Sequence, residues 1–269
     1  MKIIVALLFM CTFVFSKVYY SKVEPYEVRT LASNVSGIVL YTDENMIGKK
    51  LSNKNFITID SEIDEDELKA VRQKLLYQKN TLLLDKKVLQ NLAQNLQRKR
   101  ENYQTIKDLK IKSRIDKDKE FYDLVSSENL YLSTQKEINN LKINIADLVL
   151  KKEQLLKNLK DKNIKAKDFV LYAISVKPGQ AVNIATPLAK VADTSKGLLT
   201  IYLDKEDLFH LKNKIIYINS KKTKYKISRV LYIADEKNLS KYKAQIIVKT
   251  PKVFSKLEKI ELKESSNEK

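Results

Sequence analysis

Leucine recurs at strict seven-residue intervals through the middle of this 269-residue chain. Such spacing places one stripe of apolar side chains along a helix, and several consecutive heptads are typical of a coiled coil. The first series is Leu68, Leu75, Leu82, Leu89, Leu96 and Tyr103, with Val71, Leu92 and Ile106 three positions after some of its members. This stripe predicts a long helix that packs against a second one.

A second heptad series follows after a short break. It consists of Leu124, Tyr131, Ile138, Ile145 and Leu159, with Leu141, Leu148 and Leu155 at the intervening positions. Gly and Pro are absent between Gly48 and Pro178, so no strong breaker interrupts either series. The two series therefore predict an antiparallel helical hairpin, with polar interruptions of its seam at Gln78, Asp85, Lys99 and Lys152.

The expected helix ends follow from capping residues and charge. Ser61 is expected to cap a first helix over 62–110, and Asp116 to cap the second. Acidic residues are concentrated in the first turns of each expected helix, and lysines lie near its C-terminal end. The helix dipole favours this arrangement. The turn is then expected near Ile111–Ile115, at the end of a rod about 70 Å long at ~1.5 Å per residue.

Short β-like runs flank the hairpin on both sides. Strand-like segments precede it at 36–41 and 55–60, and others follow it from 169 onwards, separated by turns such as Lys177-Pro178-Gly179-Gln180. The N-terminus is predicted to be an export signal over 1–16. It has a basic residue, Lys2, a mainly apolar run at 3–15 and a cleavage pattern before Lys17. Retention as an anchor and lipidation at Cys11 stay open as alternatives.

Catalytic and metal chemistry find little support in the composition. The chain has one His, His210, and one Cys, Cys11, too few for a typical metal or thiol site. The acidic residues form no convincing catalytic pair. Those on the helices are expected to lie on solvent-exposed faces. We therefore expect no catalytic, metal or cofactor-binding residues.

The order of segments resembles the periplasmic adaptor family, also called membrane fusion proteins or the HlyD-like family. Residues 32–39, 48–51 and 164–193 look like two halves of a lipoyl-like β-sandwich split by the hairpin, and 197–208 resembles the opening of a β-barrel. The resemblance implies an elongated α+β fold: a long antiparallel α-helical coiled-coil hairpin inserted into a lipoyl-like β-sandwich, followed by a small β-barrel. The expected segments are 1–16 signal peptide, 17–60 N-terminal strands and first lipoyl-like half, 61–162 hairpin, 163–195 second half, 196–250 barrel and 251–269 frayed tail.

The resemblance implies partners rather than substrates. Family members join an inner-membrane transporter, of RND or ABC type, to a TolC-like outer-membrane channel, and they assemble into rings, here expected to be a hexamer in the periplasm. A modified lysine is not expected, since the hairpin replaces the turn where a lipoyl arm would attach.

The hairpin tip is expected to meet the channel. Aligning Ile115-Asp116-Lys117 on the Ile-Ser-Lys of RND-type adaptors places Leu109 on the family's Leu, Asp116 on its Ser and Thr105 on its Arg. Thr105 lacks the charge of that Arg, whereas Arg114 lies nearby. The candidate tip residues are Thr105, Leu109, Ser113, Arg114, Ile115 and Asp116.

The basic excess belongs mainly to the C-terminal part. Residues 162–269 hold 23 Lys and Arg against 11 Asp and Glu, which is most of the net charge of +18. In an adaptor this part faces the inner membrane, so it is expected to meet anionic head groups or an acidic transporter surface. Nucleic acid is not expected, because an export signal is present and no binding motif is found. An exported coiled-coil scaffold without a transporter is the alternative function; it does not require the two flanks to pair.

Overall fold

The computed structural model describes residues 17–209, 211–234 and 241–264. The expected signal peptide, Cys11, His210 and residues 265–269 lie outside this range. The helices are α1 (Glu62–Lys107) and α2 (Arg114–Asp161). The strands are β1 (Val18–Lys22), β2 (Glu24–Ala32), β3 (Gly37–Thr42), β4 (Lys50–Ile59), β5 (Asn163–Ile174), β6 (Ala181–Val182), β7 (Pro187–Leu203), β8 (Lys214–Ile218), β9 (Lys221–Lys222), β10 (Ile227–Ala234), β11 (Tyr242–Lys249) and β12 (Leu257–Glu264).

The two helices form the hairpin that the heptads predict. Every residue of both heptad series is buried or half-buried, while most positions between them are exposed. Leu68, Leu75 and Leu96 of α1 and Ile138 and Leu155 of α2 are buried most completely. The prediction of a coiled-coil hairpin is confirmed.

Ion pairs between the helices show their antiparallel register. Lys99 Nζ lies 3.3 Å from Asp123 Oδ2 near the turn, and Glu67 Oε1 lies 2.9 Å from Lys151 Nζ near the open end. Such exposed pairs stabilise by less than about 1 kcal/mol each. The apolar seam therefore supplies most of the packing energy, and the ion pairs favour one alignment of the helices.

The start and finish of α1 differ from the sequence expectation. Ser61 occupies the N-cap position but makes no capping hydrogen bond; its hydroxyl instead donates to Glu65 Oε1 at 2.8 Å. The Glu62 amide donates to Asp60 Oδ1 at 3.1 Å, so the Asp60 carboxylate accepts a hydrogen bond from the first amide of α1. The helix ends at Lys107 rather than at residue 110, which places the turn over 108–113.

The strands on either side of the hairpin join across its base. Strand β4 leads into α1, α2 leads into β5, and the two strands pair antiparallel from Lys50↔Val170 to Thr58↔Asn163. One apolar core then draws on both flanks, including Val39 and Ile57 from before the hairpin and Leu171, Leu188 and Val191 from after it. Strands β3–β6, with the adjoining parts of β2 and β7, are called the upper module.

A second core lies farther from the hairpin. It contains Val23, Ile201, Ile216, Ile246 and Ile260, contributed by widely separated parts of the chain. This lower module comprises β1, the second half of β7 and β8–β12. The 17-residue strand β7 runs through both modules, pairing with β5 in its first half and with β11 in its second.

Two expectations about the lower module are wrong. The described strands form an eight-stranded sheet and a four-stranded sheet ordered β1-β12-β8-β9, and no closed barrel. Residues 257–264 of the expected frayed tail are β12, held between β1 and β8. Alternating apolar residues such as Ile260 and Leu262 explain this, since β12 buries them against the lower core.

Strand direction defines two opposite ends of the molecule. Ala32 pairs with Pro187 close to the base of the hairpin, and β7 runs from there to Leu203, which pairs with Tyr242. The end of the lower module around Leu203 and Tyr242 is called the lower end. Within residues 17–209, 211–234 and 241–264, no helix is long and apolar enough to cross a bilayer.

Candidate partner-binding site at the hairpin tip

The tip is a short turn between two capped helix ends. The Leu109 amide donates to Ile106 O at 3.1 Å as α1 closes. Ser113 is the N-cap of α2: its Oγ accepts from the Asp116 amide at 3.1 Å and donates to Asp116 Oδ2 at 2.8 Å. The expectation that Asp116 is the cap is therefore wrong, because the helix begins earlier and Asp116 is the reciprocal partner three residues into it.

Apolar side chains project from this turn. Ile111 is 99% exposed, and Leu109 and Ile115 are exposed as well. A fully exposed isoleucine gains nothing for the isolated chain, because burial of apolar surface is the stabilising event. A cluster of three such residues at the end of a long rod is typical of a contact surface.

The remaining candidate residues have different surroundings. Thr105 lies in the last turns of α1, where its Oγ1 donates to Glu101 O at 2.9 Å. Arg114 opens α2 with an almost fully exposed guanidinium, whose Nε lies 3.8 Å from Asp118 Oδ2. The turn thus brings together Leu109, Ser113, Arg114, Ile115 and Asp116, while Thr105 lies apart on α1.

Sequence reasoning missed three apolar residues of the tip region. Ile111 falls within the expected turn, and Phe121 and Tyr122 belong to neither heptad series. The Phe121 ring packs on Tyr103, with 5.6 Å between centroids, and Tyr122 is exposed beside it. Their signal was available: each is a large apolar residue that falls outside the heptad register.

The tip is also cationic. Its basic side chains are Lys107, Lys110, Lys112, Arg114, Lys117 and Lys119, against Asp108, Asp116 and Asp118. A complementary partner surface would offer apolar pockets with an acidic rim. Opposite charges of this kind speed the association of two proteins and fix how they align.

A buried ionic cluster at the lower end is the other notable group of titratable side chains. Asp207, 7% exposed, accepts from Tyr19 Oη at 2.6 Å and from Lys17 Nζ at 3.1 Å. Burial pushes the pKa of Asp207 up, but these hydrogen bonds outweigh it and hold the pKa below its ordinary value. Burial and the bond to Asp207 raise the pKa of Tyr19. All three groups keep their ordinary protonation states, so the cluster ties elements together and is not poised for proton transfer.

Metal-ligating side chains do not cluster in the part of the chain that the structure describes: no group of three His, Cys, Asp or Glu residues is placed to hold an ion. His210 lies outside that part.

The chain is similar to known proteins in its structure. The sequence matches no family model and no curated protein. Among solved structures, MacA from Actinobacillus actinomycetemcomitans superposes with a TM-score of 0.73 at 19% identity, covering 93% of this chain and 79% of MacA. The membrane fusion protein Spr0693 from Streptococcus pneumoniae R6 gives 0.65 at 11% identity, covering 93% of this chain and 100% of Spr0693.

This chain has the membrane fusion protein fold. A MacA-MexA chimeric protein with the Pseudomonas aeruginosa MexA alpha-hairpin domain is also similar, with a TM-score of 0.59 at 16% identity over 93% of this chain and 82% of the chimera. The resemblance seen in the order of sequence segments is thus confirmed at the level of fold. In this membrane fusion protein fold, the tip and the lower end lie at opposite extremes.

Proposed function

We propose that this chain is a periplasmic adaptor, not an enzyme, that joins an inner-membrane transporter of RND or ABC type to a TolC-like outer-membrane channel. Transport in such an assembly is efflux or secretion. The observation that carries the proposal is the exposed apolar tip at the end of a 46-residue helix, about 70 Å from the sheets at ~1.5 Å per residue.

Pairing of the two flanks supports the adaptor over the scaffold. A lipoyl-like module needs its two halves to share one core, whereas a coiled-coil scaffold has no such requirement. The antiparallel pairing of β4 with β5, and the core shared by Val39 and Leu188, fit a lipoyl-like upper module. The lower module takes the place of the barrel in this assignment, with its strands arranged as an open structure.

Exposed apolar residues along the hairpin support self-association into a ring, a hexamer by family resemblance. They lie outside the seam that joins α1 to α2 and are not needed to hold the hairpin together. They include Leu76, Leu83 and Leu84 on α1 and Leu132 and Leu150 on α2. A neighbouring copy in a ring would cover such side chains.

The site of action in this proposal is the periplasm, with the lower module towards the inner membrane. The apolar segment before Lys17 supports export and membrane association, and the basic excess of residues 162–269 suits an anionic or acidic neighbour.

Crosslinking through the tip tests the proposal. A cysteine at Ile111, as Ile111→Cys, keeps the Ser113 cap intact and is fully exposed. Gln94→Cys, exposed on α1 13 residues before its end at Lys107, is the matched control. After crosslinking in cells and affinity purification, we expect Ile111→Cys to capture an outer-membrane channel and Gln94→Cys to capture none, with a transporter retained by both. A folded, exported protein that captures no envelope protein from position 111 would favour the scaffold.

A further inference from the structure

The base of the hairpin holds a buried ion pair between its two arms. Lys162 Nζ lies 2.5 Å from Asp64 Oδ2, and the side chains are 12% and 17% exposed, respectively. Ion pairs farther along the hairpin are more open: the side chains of Lys151 and Glu67 are 45% and 43% exposed. Removal of one partner from a buried pair leaves the other charge without compensation, so this pair has more influence on the structure than the exposed ones.

Both charged residues continue the apolar seam at its open end. Asp64 precedes Leu68 by four residues and Lys162 follows Leu155 by seven, so each occupies a seam position of the heptad. Leu68 and Leu155 belong to one buried cluster at the next positions of the seam. An apolar pair at positions 64 and 162 would extend that cluster without the loss of hydration that two charges suffer on burial. The seam thus ends in a pair that favours one geometry and adds little to stability.

Lys162 is attached to the upper module through its backbone. It is the single residue between α2 and β5, and its carbonyl accepts a hydrogen bond from the Ile59 amide at 2.8 Å. Its side chain reaches the first turns of α1, which hold Asp64. Asp64 Oδ2 has no hydrogen-bond partner within the described residues, so the nearby ammonium compensates its charge. The ion pair therefore ties the start of α1 to the end of the sheet.

A cleft beside the ion pair separates the hairpin from two loops of the upper module. Asn158 of α2 lines it together with Asp64 and Lys162, and the loops contribute Val35 and Ile184. Ile184 is 70% exposed, so its side chain is not packed tightly against the helices. The cleft leaves room for the hairpin to tilt towards the loops. Because α1 is 46 residues long, a small change of angle at the base becomes a large displacement at the tip.

We infer that the ion pair of Asp64 with Lys162 fixes the direction in which the hairpin leaves the upper module. The two buried charges must meet in one geometry, whereas apolar contacts are non-directional. Replacement of the pair by apolar side chains therefore frees the hairpin to tilt at its base without unfolding it. The inference concerns the shape of the chain itself and does not depend on what the tip or the lower end binds.

Pulsed electron paramagnetic resonance measures the direction of the hairpin in the full chain. Spin labels are attached at Asn80→Cys on α1 and at Lys190→Cys on β7, two exposed positions on either side of the base. Cys11→Ser removes the native thiol, so the labels react only at the chosen positions. The width of the distribution of distances between the two labels reports how far the hairpin tilts.

The test replaces the ion pair by an apolar one, Asp64→Leu with Lys162→Leu. The matched control is Glu67→Leu with Lys151→Leu, which removes an exposed ion pair close by on the same hairpin. We expect an about twofold broader distribution for the first variant, because the rise of ~1.5 Å per residue carries the label on α1 well away from the base. Its melting temperature should equal or exceed that of the wild type, and the control should keep the wild-type width.

A folded Asp64→Leu, Lys162→Leu protein whose distance distribution matches that of the wild type would overturn the inference. Equal broadening in the control would overturn it too, because an exposed pair would then fix the hairpin as well as the buried one.

Asp64→Asn provides a second readout that does not require two new leucines. It keeps the shape of the side chain and removes its charge, so Lys162 is left buried without a counter-charge. We expect a broader distance distribution together with a lower melting temperature. A distribution as narrow as that of the wild type would show that packing and the backbone hydrogen bonds alone fix the hairpin, which contradicts the inference.

Discussion

Asp207 joins the N-terminal residues Lys17 and Tyr19 to the region between β7 and β8 through one carboxylate. Its oxygens meet Tyr19 and Lys17 from the N-terminal strand, and Lys214 Nζ lies 3.7 Å away at the start of β8. A buried carboxylate keeps its charge only when hydrogen bonds replace the lost water, as they do here. The Asp207 carboxylate therefore adds to the pairing with β12 in fixing the position of β1.

Asp207→Asn is expected to destabilise the protein by about 1.5–3 kcal/mol at neutral pH, because hydrogen bonds to a charged group are lost. The pKa of Asp207 lies below its unfolded value in the folded state. Its contribution is therefore complete above the unfolded pKa, near 3.8, and disappears as pH falls through the folded pKa. Denaturant unfolding at pH 7 and under strong acid should show a difference from wild type that shrinks on acidification. A pH-independent difference would contradict this account.

The Ser113 cap yields a second residue-level prediction. Ser113→Ala removes the side-chain oxygen that accepts from the Asp116 amide and should weaken the start of α2 by about 1 kcal/mol. Ser61→Ala is the matched control, because Ser61 makes no capping bond and should have little effect. Amide hydrogen exchange in the first turn of each helix measures the outcome. Equal effects of the two substitutions would contradict the assignment of the cap.

At the level of elements, the hairpin seam is uneven because polar residues interrupt it. Gln78 occupies a seam position on α1, and its Oε1 atom is buried with no hydrogen-bond partner. A buried acceptor without a partner costs about 1–3 kcal/mol. The helix carries that cost within an otherwise regular stripe, between the buried Leu75 and the half-buried Leu82.

Gln78→Leu should therefore raise the free energy of unfolding by about 1–3 kcal/mol. Gln97→Leu is the matched control: Gln97 is exposed and bonds only to Glu101, so its replacement should change stability by less than about 0.5 kcal/mol. Thermal unfolding of the two variants measures the difference. A lower melting temperature for Gln78→Leu would show that Gln78 has a partner in solution.

Local sequence patterns predicted most of the secondary-structure elements, but they predicted fewer of the pairings between those elements. The heptads predicted the hairpin because a seven-residue period is a local property of the sequence. The pairing of β1 with β12 joins residues 18–22 to 257–261, and no local pattern reveals a partner so distant. The expected barrel and tail were wrong for this reason. At the tip, capping patterns located the turn but mistook Asp116 for the cap, and the exposure of Ile111 depends on where α1 stops.

At the scale of the whole molecule, two surfaces of different character lie at opposite ends. The tip presents Ile111 and Ile115 among basic residues, and the lower end presents the exposed side chains of Phe209 and Tyr232. The hairpin and the long strand β7 keep these ends apart. A molecule with separate end surfaces and a stiff middle is suited to bridging two structures.

Fractionation of the cell envelope tests this bridging most directly. Cells with Ile111→Cys or Gln94→Cys are crosslinked, and inner and outer membranes are separated by density. We predict that Ile111→Cys places the protein in a fraction that contains both membranes, and that Gln94→Cys leaves it with the inner membrane alone. Recovery of folded Ile111→Cys protein away from the outer membrane, as for Gln94→Cys, would contradict the bridging role.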